Sequence, residues 1–234
     1  MRVLAICAHP DDIELQCAGT LVKCKKRGDE VYACHVSDGN MGHMVIPPDE
    51  LGVIRRGEAQ KSGSIAGIEV IWGGMHDLDI YYDNKAARDA IVKVIRYADP
   101  DLIITHDPSD YMCDHTEVAR LVFDASFCAT VPHYEPQLGK AAKITPIYYM
   151  GTASQMGFVP TEYVDITEEM ETKKAMFNCH ESQLVWLRDH DHIDPAEKMI
   201  VTARFYGFQS GAEYAEAFRQ CGVEGRMTTK RLLP

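Results

Sequence analysis

Two distant segments of this chain each place histidine beside aspartate, directly after a short apolar run. Ala8-His9-Pro10-Asp11-Asp12-Ile13-Glu14 follows Val3-Leu4-Ala5-Ile6-Cys7. His106-Asp107-Pro108-Ser109-Asp110-Tyr111-Met112-Cys113-Asp114-His115 follows Leu102-Ile103-Ile104. If each apolar run is a buried strand, both clusters lie at carboxyl strand ends, where open parallel sheets bind ligands. Pro10 biases His9 away from helical geometry, and the three-residue spacing lets His9 and Asp12 converge. With His115 they form a two-imidazole, one-carboxylate set that suits zinc with one position open. Asp11, between the first two, cannot easily share their direction. It is placed to take a proton from a zinc-activated water and return it to a leaving group.

Either segment alone has a plainer explanation, a turn whose aspartate caps the next helix. Two such segments, each at a strand end, make chemistry the better account.

The elements that must position these residues follow from periodicity. Strands are expected at 2–7, 30–36, 69–72, 101–105, 147–150 and 162–166. Helices are expected at 13–27, 49–66, 84–97 and 115–129, at about 167–179 with Thr167 as N-cap, from Asp194-Pro195, and at 212–221. The β-α-β-α order implies an α/β, Rossmann-like, open and mostly parallel sheet with helices on both faces. No repeat or linker interrupts the chain, so residues 1–234 are expected to form a single domain.

The net charge of −11 disfavours nucleic-acid and anionic-membrane partners. No apolar run reaches transmembrane length, and the opening residues do not read as an export signal, so a cytoplasmic protein is expected. The eight cysteines include no CxxC pair and are read as reduced thiols.

Ala8-His9-Pro10-Asp11-Asp12-Ile13-Glu14 resembles the signature of the PIG-L/LmbE-like family of metal-dependent de-N-acetylases. Pro108-x-Asp110-x-x-x-Asp114-His115 is similar to that family's second motif. Ser37-Asp38-Gly39, Arg55-Arg56-Gly57-Glu58-Ala59, Asp77-Leu78-Asp79-Ile80, Tyr163-Val164-Asp165-Ile166-Thr167 and His180-x-Ser182-Gln183 resemble further family elements. The resemblance implies a zinc-dependent hydrolase that removes an N-acetyl group from an N-acetylglucosamine-type amino sugar or small glycoconjugate. It implies one Zn2+ per chain on His9, Asp12 and His115, and Asp11 as general base. Arg55 and Asp77 would contact the substrate, and the chain could form a homo-oligomer. It leaves the role of His180 open between a structural hydrogen bond and a contact behind the site.

One position departs from the family pattern. Many members carry histidine three residues before the last ligand, to stabilise the oxyanion or act as an acid; here it is Met112, which can do neither. Met112 is expected to line the substrate pocket; either another group supplies the donor, the metal alone polarises the carbonyl, or the preferred substrate differs. His106, His76, His43 and Tyr111 are candidates for the donor.

Rival functions are a metal-dependent phosphoesterase and a catalytically weakened sugar-binding member of the family. The first would recruit carboxylates such as Asp38, Asp77, Asp107 or Asp110 to a second metal. A nucleotide-binding module is excluded, because the first strand lacks a glycine-rich turn.

Overall fold

The computed structural model describes residues 1–190 and 192–234. Among them, seven strands form one sheet: β1 (Arg2–Cys7), β2 (Glu30–Ser37), β3 (Glu69–Met75), β4 (Leu102–Thr105), β5 (Ile147–Met150), β6 (Glu162–Asp165) and β7 (Ala215–Gln220). Their order is β3-β2-β1-β4-β5-β7-β6. The first five are parallel, and β7 runs antiparallel to both β5 and β6. The sheet is therefore mostly parallel, of the expected Rossmann-like class.

β1 is buried on both faces and supplies both halves of the core. Val3, Ala5 and Cys7 pack with Leu21 of helix α2 (Ala18–Lys26), Phe177 of α6 (Met170–Phe177) and Met199 of α8 (Pro195–Ser210). Leu4 and Ile6 pack with Ile91 and Ile95 of α4 (Lys85–Ala98) and Val118 and Val122 of α5 (Cys113–Cys128). Helices thus cover both faces. The chain order reverses between β1 and β4, so the crevice expected at such a switch point opens between the two loops that carry the motifs.

Four expectations are corrected. Residues 215–220 form strand β7, not a helix. Their backbone groups complete the ladder between β5 and β6, and that pairing overrides the helical preference of an alanine- and glutamate-rich segment. The expected helix 13–27 is two helices, α1 (Asp12–Gln16) and α2, broken where Cys17 takes φ −144°. Thr167 does not cap a helix; it opens a 3-10 turn, Thr167–Glu169, and its hydroxyl donates to Asp165. A separate helix, α7 (Glu181–His190), lies where none was expected. The remaining helix, α3 (Pro48–Ala66), ends at Gly67 as expected.

No helix among the described residues is long and apolar enough to cross a membrane.

Candidate active site

The turn leaving β1 is built from its own backbone outward. The Asp12 carboxylate accepts from His9 N at 2.7 Å, which closes the His9–Asp12 turn. Asp11 between them sits at φ 114°, ψ −22°, a left-handed conformation rare outside glycine. Ala8 N donates to His106 Nε2 at 2.9 Å, tying the β1 turn to the β4 loop.

This geometry brings the three expected ligands together. One donor atom from each of His9, Asp12 and His115 lies within 4.8 Å of the others. Asp12 Oδ1 is 3.2 Å from His115 Nε2, and Asp12 Oδ2 is 3.5 Å from His9 Nδ1. His115 Nε2 is buried with no hydrogen bond of proper geometry, so that nitrogen is free to bind a metal. All three side chains are buried at the base of a cavity of about 500 Å³.

The opposite ring atoms are also engaged. His115 Nδ1 faces Asp110 Oδ2 at 3.0 Å, and Asp110 also accepts from Ala153 N and Met112 N. His9 Nε2 faces Asp114 Oδ2 at 3.2 Å and Asp77 Oδ1 at 3.1 Å. Carboxylates behind ligating imidazoles fix their tautomer and raise their basicity. Nothing in the spacing assigned this role to Asp110 or Asp114. Both lie in the second motif, so the rule that ligating histidines lean on carboxylates could have found them.

The charges balance within the cluster. Burial alone would raise the Asp12 carboxyl, but His115 and His106 hold it well below the usual carboxylate range. Burial would lower His115, but Asp12 and Asp110 hold it up at about 9. His9 is raised as well, burial being outweighed by Asp114, Asp12 and Asp77. Burial, reinforced by His115, pushes His106 down to about 4. His106 is thus a neutral acceptor for Ala8 N, stacked 3.8 Å from the His115 ring, and is not a replacement donor.

Asp11 is not a member of the ligand cluster. Its carboxyl lies on the cavity wall and is raised to about 6 by burial, against the opposing charge of Arg55. Arg55 Nη2 is 3.2 Å from Asp11 Oδ1 and also donates to Pro10 O; Nη1 donates to Gly39 O at 2.9 Å. Arg55 touches the cavity, yet it is 3% exposed and its end groups are committed to the protein. Gly39, at φ +64°, packs its Cα on that guanidinium, where any Cβ would overlap it.

Asp77 and Met112 line the cavity, with Met112 at the N-cap of α5. His76 and His43 are tied to Asp38 and to the amides of Val45 and Ile46, and Tyr111 is 74% exposed. His180 is fully buried, its Nε2 3.3 Å from Glu14 Oε2 behind the turn. Gln16 and Trp186 also line the cavity and were missed. Gln16 follows Asp12 by four residues on α1, a spacing that could have flagged it; Trp186 lies on the unforeseen α7.

A family model described as GlcNAc-PI de-N-acetylase matches residues 4–126. The chain is 30% identical over 227 residues to a diacetylchitobiose deacetylase of Thermococcus kodakarensis, covering 93% of this chain and 82% of that one. Its structure is similar to that of an N,N'-diacetylchitobiose deacetylase from Pyrococcus horikoshii, with TM-score 0.81 and 26% identity, over 94% of this chain and 83% of that one. It also matches GalB, the 4-carboxy-2-hydroxymuconate hydratase of Pseudomonas putida KT2440, with TM-score 0.79 over 99% and 100% of the two chains. At 20% identity that likeness concerns the fold alone.

Proposed function

This chain belongs to the PIG-L family, and from that premise we propose that it removes an N-acetyl group from an N-acetylglucosamine-type amino sugar or small glycoconjugate, using one zinc ion. The carrying observation is the convergence of His9, Asp12 and His115 with Asp11 set beside them on the cavity wall. The donor set fits zinc with an open position, and the orphaned His115 Nε2 agrees with that fit. When bound, the ion would polarise the acetamide carbonyl and acidify water.

The chain's own groups then have separate tasks. His9, Asp12 and His115 hold the ion. Asp110 and Asp114 orient the two imidazoles. Asp11, ionised at neutral pH, takes the proton from the attacking water and delivers it to the departing nitrogen. Arg55 holds Asp11 through Nη2, and its Nε, buried without a hydrogen-bond partner, is what it still has to offer a substrate. Asp77 and Met112 border the sugar. The fate of the bonds is simple: the acyl C–N bond breaks, a C–O bond forms, and acetate and a free amine leave.

A phosphoesterase fits less well. Two further ligand groups exist, His106–Asp110–His115 and His9–Asp77–Asp114, but each reuses an imidazole of the first, so two ions would compete for it. The cavity also spends its buried guanidinium on Asp11 and on backbone carbonyls.

The test is turnover by zinc-loaded protein of N-acetylglucosamine, N,N'-diacetylchitobiose and N-acetylglucosaminides, read as acetate and free amine. Absence of release from all of them, with one zinc per chain, would overturn the proposal.

A further inference from the structure

A tetrahedral acyl intermediate carries a developing oxyanion, and a positioned N–H or O–H donor normally meets it. Met112 lines the cavity but its thioether donates nothing. His106 is an acceptor, Arg55 spends both Nη atoms on Asp11 and on backbone carbonyls, and Tyr111 is largely exposed. Gln183 also lines the cavity, but its amide donates to Gly42 O at 3.2 Å. Lys198, on α8, is exposed.

Gln16 remains. It lies at the end of α1, four residues after Asp12, so the two side chains share one helix face with Cβ atoms about 6 Å apart. Its amide is oriented by a chain of hydrogen bonds. The Tyr206 hydroxyl donates to Gln155 Oε1, and Gln155 Nε2 donates to Gln16 Oε1 at 3.2 Å. Gln16 Nε2 then faces Thr152 O at 3.5 Å, the outer limit of a hydrogen bond. A carbonyl can only accept, so the contact with Thr152 assigns the nitrogen to that side of the Gln16 amide and the oxygen to the Gln155 side. Its oxygen is satisfied, and its two N–H bonds are held by one long contact. Gly151 makes room for the pair, since a Cβ there would lie 2.5 Å from Gln155 Oε1 and 3.2 Å from Gln16 Oε1.

We infer that Gln16 is a catalytic residue whose amide N–H meets the acyl oxygen of the substrate, the task Met112 cannot perform. Gln155 and Tyr206 are positioning residues that aim it, and Gly151 is the space that admits them. The inference rests on the deacetylase reading above.

The experiment uses zinc-loaded full-length protein and an N-acetylated amino sugar that the wild type hydrolyses. Gln16→Ala should lower kcat about 10²-fold, with zinc still at one per chain. Its KM should move by less than about 3-fold, because the contact strengthens only as the oxyanion forms. Gln16→Glu, which keeps the length and loses the donor, should fall at least as far. Tyr206→Phe and Gly151→Ala should each cost roughly 3- to 30-fold in kcat by misdirecting the amide.

Calorimetry with the amino sugar bearing a methylphosphonamidate in place of acetamide supplies a readout besides turnover. Gln16→Ala should weaken this tetrahedral analogue by a factor similar to its kcat loss and leave affinity for the free-amine product unchanged. An unchanged kcat in both Gln16 variants would overturn the inference while leaving the deacetylase reading intact. Loss of zinc, or equal loss of product affinity, would also overturn it, making Gln16 a scaffold of the site. A wild type that hydrolyses no N-acetylated sugar would remove the deacetylase reading itself, and this inference with it.

Discussion

Arg55 Nη2 contacts the two consecutive residues that shape the reactive turn: it donates to the carbonyl of Pro10 and lies 3.2 Å from the carboxylate of Asp11. Asp11 is held at φ 114° by this turn, a conformation that costs on the order of 1–3 kcal/mol outside glycine. The guanidinium therefore clamps a strained backbone and its carboxylate at once. Arg55 is the largest influence opposing the upward push of burial on Asp11.

Removing that charge raises the Asp11 carboxyl above about 6. A base must be ionised, so the acid limb of the pH–rate profile should move to higher pH in Arg55→Ala. Arg55→Lys keeps the charge and loses the fork, so it should retain the limb while losing rate. An acid limb in Arg55→Ala that matches wild type would refute the assignment.

Metal uptake should release protons. Without metal, His115 is held at about 9, so its ring is an imidazolium at neutral pH, and His9 is raised as well. Ligation requires neutral imidazole, so zinc should displace at least one proton near neutral pH, and affinity should rise with pH. Calorimetry in buffers of different ionisation enthalpy counts them. A count of zero would contradict the ligand set.

Asp110→Asn leaves His115 in place but removes the carboxylate 3.0 Å from its Nδ1. Zinc affinity should fall by roughly 10- to 100-fold. Competition against a fluorescent chelator measures it. Undiminished affinity would show that Asp110 serves only the loop, through Ala153 and Met112.

Glu14 gives a stability prediction. Burial would raise its carboxyl, but His180, His35 and Ser62 bring it down to about 2 from 4.5. A depressed carboxyl contributes stability above its unfolded value and loses it as pH falls towards its folded one. The contribution is about 3 kcal/mol at neutral pH. In chelator-treated protein, the difference in urea stability between wild type and Glu14→Gln should shrink by roughly 2 kcal/mol between about pH 5 and pH 3. A constant difference would mean that Glu14 titrates normally.

Met112→His should change kcat by less than about 3-fold, provided the variant binds zinc, because Gln16 already supplies the donor. A gain above tenfold would mean that the oxyanion lacks one in the wild type.

Much of this was readable before any coordinates. The β1 turn and the β4 loop could be placed because a buried parallel strand reads as an apolar run, and the residue after it must turn. Their meeting depends on β1 lying beside β4, which is a fact of the sheet order and not of either segment. What stayed hidden depends on distant partners. Ala215-Glu216-Ala217 favours a helix locally and becomes a strand because two other strands need pairing. The break at Cys17 leaves no local signal. Arg55 matched a motif, but its burial against Pro10 and Gly39 is a tertiary fact. Gln16 acquires its direction from Thr152, Gln155 and Tyr206, which spacing alone does not connect.

The position of β7 also sets an order of events during synthesis. Glu216 accepts from Gly19 N and Thr20 N at the start of α2 and pairs with buried Lys173 at 2.5 Å. The segment just after the reactive turn is therefore secured by a residue 197 positions later in the chain. A growing polypeptide would present both histidine motifs to the cell well before β7 leaves the ribosome. Until then the first amides of α2 and the Lys173 ammonium lack their shared partner, and β6 lacks the strand that joins it to the sheet. The turn bearing His9, Asp11 and Asp12 would thus become rigid only once β7 has joined the sheet.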